Sequence, residues 1–173
     1  MMTRAKLEDL RRVVSGQEAP MTRVALDDLA NPEGVRRELQ SAFEASLRGK
    51  ESTDKLINRL QRVTDMNRAR AAMIARTEKT RAANAARISP VLEEYLKAYE
   101  KAVKGHRKRP ERPKFQWVNP LTAKEPRHEH VRISGTVQPV GDEFLPGLRY
   151  PGDPQAPARQ TINCHCYIRR WGG

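Results

Sequence analysis

The sequence predicts an α+β fold, with a helical N-terminal half whose long central helix packs on a small C-terminal β-sheet, and three observations predict it. Residues 67 to 87 (NRARAAMIARTEKTRAANAAR) form an alanine-rich run without Gly or Pro, which favours about six turns of helix. After Pro113 the apolar period shortens towards two, in Phe115, Trp117 and Val118 and again from Val131 to Val140. Residues 141 to 160, including LPGLRYPGDPQAP, are dense in Gly, Pro and Asp, a composition that makes turns.

The elements follow in chain order. Residues 1 to 30 form an N-terminal arm: Leu7, Leu10, Val13 and Val14 suit a short amphipathic helix, and Gly16 and Pro20 then loosen the chain. A helical region spans 31 to 104. Asn31-Pro32-Glu33 starts its first helix, with Asn as cap, Pro at the first helical position and an acid at the positive end of the dipole; it runs to about Leu47 and stops near Gly49. A second helix begins around Ser52 with Leu56, Ile57 and Leu60 on one face and pauses between Val63 and Asn67, where Asp65 can cap the central helix. Ser89-Pro90 opens a further helix containing Val91, Leu92, Tyr95, Leu96, Tyr99 and Val103, and Gly105 closes it.

Residues 105 to 113 form a basic loop, and 114 to 173 a small β-rich region. Within the latter, Phe115 to Val118 is a short strand, VRISGTVQPV a bent strand or hairpin about Gly135, and Thr161 to Arg169 a last strand. Alternation along that strand puts Ile162, Cys164 and Cys166 on one face and Asn163, His165 and Tyr167 on the other.

Charge bears on partners. The net charge is +12 and the sequence pI about 10.2, which favours nucleic acid or an acidic protein surface. Residues 51 to 113 hold sixteen Lys and Arg against eight acids, densest in KGHRKRPERPK from Lys104 to Lys114. There Lys104, Arg107, Lys108, Arg109 and Arg112 are candidates for sequence-independent contact with DNA phosphates; the bland alternative is a solvated linker. No run approaches the roughly 20 apolar residues that span a bilayer, and the N-terminus lacks a signal-type apolar stretch, so the expectation is a protein of the cytoplasm without a membrane partner.

The two cysteines, Cys164 and Cys166, stand too close for an ordinary structural disulfide. With His128, His130 and His165 they supply enough nitrogen and sulfur for a zinc ion, with His130, Cys164, His165 and Cys166 the candidate ligands. No C-x-x-C element supports that site, so the reading without a cofactor, in which small buried thiols pack as hydrophobes, is preferred and zinc is its alternative.

Four segments together resemble the phage head-morphogenesis family typified by the Mu F protein, and they come in the family's order. They are Ile74-Ala75-Arg76-Thr77-Glu78; Trp117 followed by Arg127-x-x-His130 and Gly135; Pro151-Gly152-Asp153-Pro154; and Ile162-Asn163-Cys164-His165-Cys166. Two departures stand out: Leu121-Thr122-Ala123-Lys124 lies where the family usually has an acid, and His165 replaces an arginine between the cysteines. Many members carry a longer N-terminal part, so the expectation is a short form or a fragment. The resemblance implies a structural minor head protein acting in head morphogenesis and capsid assembly, first in the host cytoplasm and then in the virion. It implies binding to portal or capsid proteins, and packaged DNA is a further candidate partner.

On this reading Arg76, Glu78, Arg127, His130 and Asn163 form a structural polar cluster, in which Glu78 or Arg76 holds Arg127 or His130 and Asn163 ties down the PGDP turn. Without the resemblance, Arg76 and Glu78 read as charges on a solvated helix. The competing class is a phage-delivered enzyme, toxin or nuclease, using Glu78, Arg127 and His130 as acid, clamp and base. No phosphate loop or nucleophile motif supports it, and no catalytic residue is assigned.

Overall fold

A computed structural model describes residues 3–14, 52–64 and 66–172, together with the isolated helical positions Arg37, Ser41, Ala42 and Ala45. The rest of the helix expected between Asn31 and Leu47, the loose chain after Val14 and the expected cap Asp65 lie outside the described residues. The described elements are α1 (Arg4–Val14), α2 (Thr53–Thr64), α3 (Arg68–Lys104), β1 (Lys114–Val118), α4 (His128–Arg132), β2 (Val137–Pro139), α5 (Ala158–Thr161) and β3 (Tyr167–Trp171). The fold is α+β, helices first and a small antiparallel sheet last, as the sequence predicts.

Helix α3 organises the molecule. Asn67 caps it, accepting the Arg70 amide on Oδ1 at 2.9 Å, and it continues for 37 residues, about 55 Å at 1.5 Å per residue. The two helices expected on either side of Ser89-Pro90 are therefore one. Proline removes one N–H from the ladder and crowds the carbonyl four residues back. Here both Pro90 and Ala86 are exposed, so the unmatched carbonyl of Ala86 faces water, and Ile88, Leu92, Tyr95 and Leu96 are buried on the other face. Packing overrides the breaker.

Two apolar clusters sit along α3. Near its start Ala71, Ile74 and Ala75 pack with Leu56, Ile57 and Leu60 of α2 and with Ala42. Further along, Ala85, Ile88, Leu92, Tyr95 and Leu96 meet Phe115, Trp117, Leu148, Tyr150 and Ile168 of the β-rich region, and Leu10 of α1 joins them. Each fully buried Leu or Ile contributes about 1.5 to 3 kcal/mol by leaving water, so the arm is anchored through Leu10. The surface pairs Arg11–Glu93 at 2.7 Å and Arg4–Glu100 at 3.5 Å are largely solvent-screened and add little.

The sheet has the order β2-β1-β3 with both pairs antiparallel, Phe115 opposite Gln138 and Trp117 opposite Ile168. Two sequence expectations give way here. The segment from Val131 is not a hairpin: α4 occupies His128–Arg132, the chain turns through Gly135 at φ 89°, and only Val137–Pro139 pairs. Burying His130 and Ile133 while exposing Val131 and Arg132 follows a helical period. The last strand starts at Tyr167 instead of Thr161, because α5 ends at Thr161 and Asn163 adopts φ 54°, incompatible with extended chain. Ile162 is only half-buried, whereas Cys164, Cys166 and Ile168 do share the inner face.

The basic loop joins α3 to β1. Gly105 caps α3, its amide reaching the carbonyl of Lys101 at 3.0 Å. The loop is partly pinned to the domain: Arg112 makes a bidentate pair with Asp142 at 2.7 and 2.9 Å, and Arg109 lies over the Tyr99 ring. Lys104, Arg107 and Lys108 are exposed.

Candidate functional site

The candidate site lies where the first half of α3 meets the turn, α4 and the segment before β3, and the motif residues take different places in it. Along α3, Ile74, Ala75, Thr77 and Glu78 are buried and Arg76 is exposed. Positions 74, 75 and 78 follow the i, i+1, i+4 spacing of one helix face, and Arg76 falls opposite. Buried Glu78 pairs with Arg81, one turn along at 2.7 Å, and not with Arg127 or His130. The i,i+3 partner is on the same helix and nearly buried with it, so the carboxylate is satisfied without crossing to the sheet.

Arg127 instead holds backbone. Its guanidinium donates to the carbonyls of Arg159 at 2.7 Å and Ile162 at 2.5 Å, the open end of α5 and the chain just past it. A cation at a helix C-terminus meets the partial negative charge there as well as unpaired carbonyls. No hydrogen bond or ion pair joins Glu78, Arg127 and His130.

The helix-to-sheet joint is made by Thr77, a motif residue outside the expected polar cluster, and by Thr80 and Asn84, which lie outside the motifs. Thr77 Oγ1 accepts the amide of Asn163 at 2.8 Å, and Thr80 Oγ1 donates to the carbonyl of Cys164 at 2.9 Å. Asn84 donates to the carbonyls of Pro151 at 3.1 Å and Cys166 at 3.3 Å and accepts the amide of Ile168 at 3.0 Å. Asn84 thus ties down the PGDP turn, the role expected of the Asn163 side chain; Asn163 is exposed and contributes its amide. Thr77 and Asn84 are seven apart, two turns of one face, a polar stripe that the sequence carries openly.

The turn itself is built on two features. Asp153, fully buried, accepts Arg149 Nε at 2.7 Å and Nη2 at 3.0 Å together with the amides of Arg149 and Gln155. These bonds let a carboxylate lie inside the domain, and pairing keeps the Arg149 guanidinium protonated against burial. Gly152 has φ 82°, and a Cβ there would stand 2.7 Å from the Cα of Arg81, so the turn rests directly on α3.

Three potential metal ligands converge beside this joint. His130 of α4 lies with Nδ1 3.5 Å from Cys164 Sγ and 3.6 Å from Cys166 Sγ, and all three side chains are buried. The ligand atoms all fall within 4.8 Å of one another. His165 is not among them; it faces the other way, with Nδ1 3.3 Å from Thr122 Oγ1. That follows from alternation along the segment, in which 164 and 166 share a face and 165 does not.

The tautomer of His130 is fixed by its neighbours. Gln160 Nε2 donates to Glu129 at 2.6 Å, so the other amide atom, Oε1, faces His130 Nε2 at 2.8 Å and must accept its proton. In the neutral ring Nδ1 is then the unprotonated nitrogen, and it faces two sulfurs. The Trp117 ring packs edge-on against His130 at 5.1 Å, and its buried indole N–H has no partner of good hydrogen-bond geometry among the described residues. The thiols differ: Cys164 is held below the usual thiol range by the bond it receives from Cys166, and Cys166 is pushed up by donating that bond and by burial.

One side of the cluster borders a pocket of about 640 Å³ whose lining includes Arg76, Lys124, Arg127, His130, Cys164 and Cys166. Its charged lining is Arg76, Lys124 and Arg127 against the one carboxylate Glu125, so the balance there favours anions. Among the described residues no helix is long and apolar enough to cross a membrane.

The model of the family described as phage Mu protein F like protein matches residues 37–169. No curated protein and no solved structure matches significantly.

Proposed function

As this chain belongs to the phage Mu protein F-like family, a family of phage head-morphogenesis proteins, we propose that it is a structural minor head protein that acts beside the portal during assembly in the host cytoplasm and stays in the virion. The observation that supports this best is where the family-like motif residues go. Thr77, Arg127, Asp153, and Asn163 through its amide, are engaged in fastening the helix, the turn and the strand to one another. Such residues support a rigid joint. A structural protein presents a shape to its neighbours, and rigidity is what that requires.

The exposed cations Lys104, Arg107 and Lys108 stand where α3 ends and supply a surface that suits packaged DNA or an acidic face of portal or capsid. The test is composition of particles. The protein should co-purify with portal from both procapsids and mature virions, detected by mass spectrometry of gradient-purified particles. Its absence from both would remove the structural reading.

A further inference from the structure

We propose that His130, Cys164 and Cys166 bind one zinc ion, with a fourth coordination position that opens on the cationic pocket. The distances carry the proposal. Zinc takes sulfur at about 2.3 Å and nitrogen at about 2.0 to 2.1 Å in a tetrahedron, so a sulfur and a nitrogen on one ion stand about 3.5 to 3.6 Å apart. His130 Nδ1 stands 3.5 Å from one sulfur and 3.6 Å from the other. A cluster whose only bonds were thiol to imidazole would need one close sulfur, not two equivalent ones.

The surroundings are those of a ligand held ready. A zinc-bound imidazole ordinarily gives its remote N–H to an oxygen acceptor that fixes ring and tautomer, and here Gln160 does this, itself held by Glu129. The Trp117 N–H, buried beside Cys166 without a partner of good geometry, is the kind of donor that a zinc-bound thiolate accepts. Once loaded, two thiolates, a neutral imidazole and the ion sum to zero charge, which suits a buried site.

The described residues supply no fourth ligand. His165 is turned to Thr122, and the side of the cluster left over is the pocket lined by Arg76, Lys124, Glu125 and Arg127, with Glu125 outside the ligand cluster. Solvent or a small anion takes that position, as in zinc sites with three protein ligands.

The full chain, purified without an affinity tag under reducing conditions, should contain about one zinc per chain. After chelation, added Co²⁺ should give thiolate-to-cobalt charge-transfer and tetrahedral d–d bands, displaced by one equivalent of Zn²⁺. Cys164→Ser should abolish the charge-transfer band from that sulfur and lower zinc content several-fold. Because that variant can fail to fold, Gln160→Ala is the second one: it should keep the stoichiometry and weaken Zn²⁺ affinity by about 10- to 100-fold. A folded, reduced chain that takes up neither Co²⁺ nor Zn²⁺ would overturn the site and leave the buried thiols as packing. Azide should shift the Co²⁺ d–d bands. Bands indifferent to azide would overturn the open fourth position.

Discussion

Asn84 lies where helix, turn and strand meet, and it spends both ends of its amide there. Its Nδ2 reaches the carbonyls of Thr80, Pro151 and Cys166, and its Oδ1 takes the amide of Ile168. A leucine of similar size would fill the space and leave buried carbonyls and an amide unpaired, each costing about 1 to 3 kcal/mol. We therefore expect Asn84→Leu to lower stability by about 3 to 4 kcal/mol in urea titration, well above the ordinary effect of one substitution. A loss under about 1 kcal/mol would mean that the joint relies on packing instead. Residues of this kind are hard to read in the sequence, because a lone Asn in an alanine run looks solvated and its partners outside the helix lie 67 to 84 positions away. Ligand types were easier: His130, Cys164 and Cys166 are conspicuous as chemistry, and alternation alone separates His165 from the cysteines. The sequence offers Glu78 a distant arginine as partner, and the nearer Arg81 on the same helix wins by proximity.

At the scale of elements, α3 is a beam with different loads at its two ends. Ala71, Ile74 and Ala75 carry α2, while Ala85 to Leu96 carry the sheet and the arm. Pro90 lies in the second part, exposed, and costs the helix one hydrogen bond. Proline in a helix interior is worse than alanine by about 3 kcal/mol, although its stiffness also restrains the unfolded chain. Pro90→Ala should accordingly raise stability, by about 1 to 2 kcal/mol in the same titration. Destabilisation instead would show that a bend at Pro90 is needed to seat both clusters at once. The elements legible in the sequence are α1, α2 and α3, whose apolar or alanine-rich helical pattern runs for several turns although Pro90 splits α3 in the reading, and β1, marked by Phe115, Trp117 and Val118 just after Pro113. The short ones, α4 and α5, were not legible: four or five residues hold too little periodicity, and their form is set by burial of His130 and Gln160 on the inner side.

For the whole molecule the question is what a net charge of +12 does. The five cations singled out in the basic loop are not equivalent once folded. Arg112 is committed to Asp142, which raises its pKa through the hydrogen bond they share, and Arg109 leans on Tyr99. Arg109 stays exposed beside that ring, and the remaining three, Lys104, Arg107 and Lys108, are exposed as well. If those three contact phosphates, binding to DNA should be indifferent to sequence and should weaken steeply with salt as condensed counterions return. Neutralising all three should then reduce the slope of log affinity against log salt by about 2 to 3, since each phosphate contact contributes about 0.9. Arg112→Ala should act differently, lowering stability through the loss of its bidentate pair and leaving the slope nearly unchanged. Were the loop to dock on an acidic protein surface, the triple variant would slow association with portal or capsid protein while its weak binding to DNA stayed as before. If neither binding responds, the loop is a solvated connection between α3 and β1, and the charge serves solubility. The DNA contact is favoured because the exposed cations follow one another from the last residue of α3 into the irregular chain after it, which suits the regular charge of a phosphate backbone better than a shaped protein cavity.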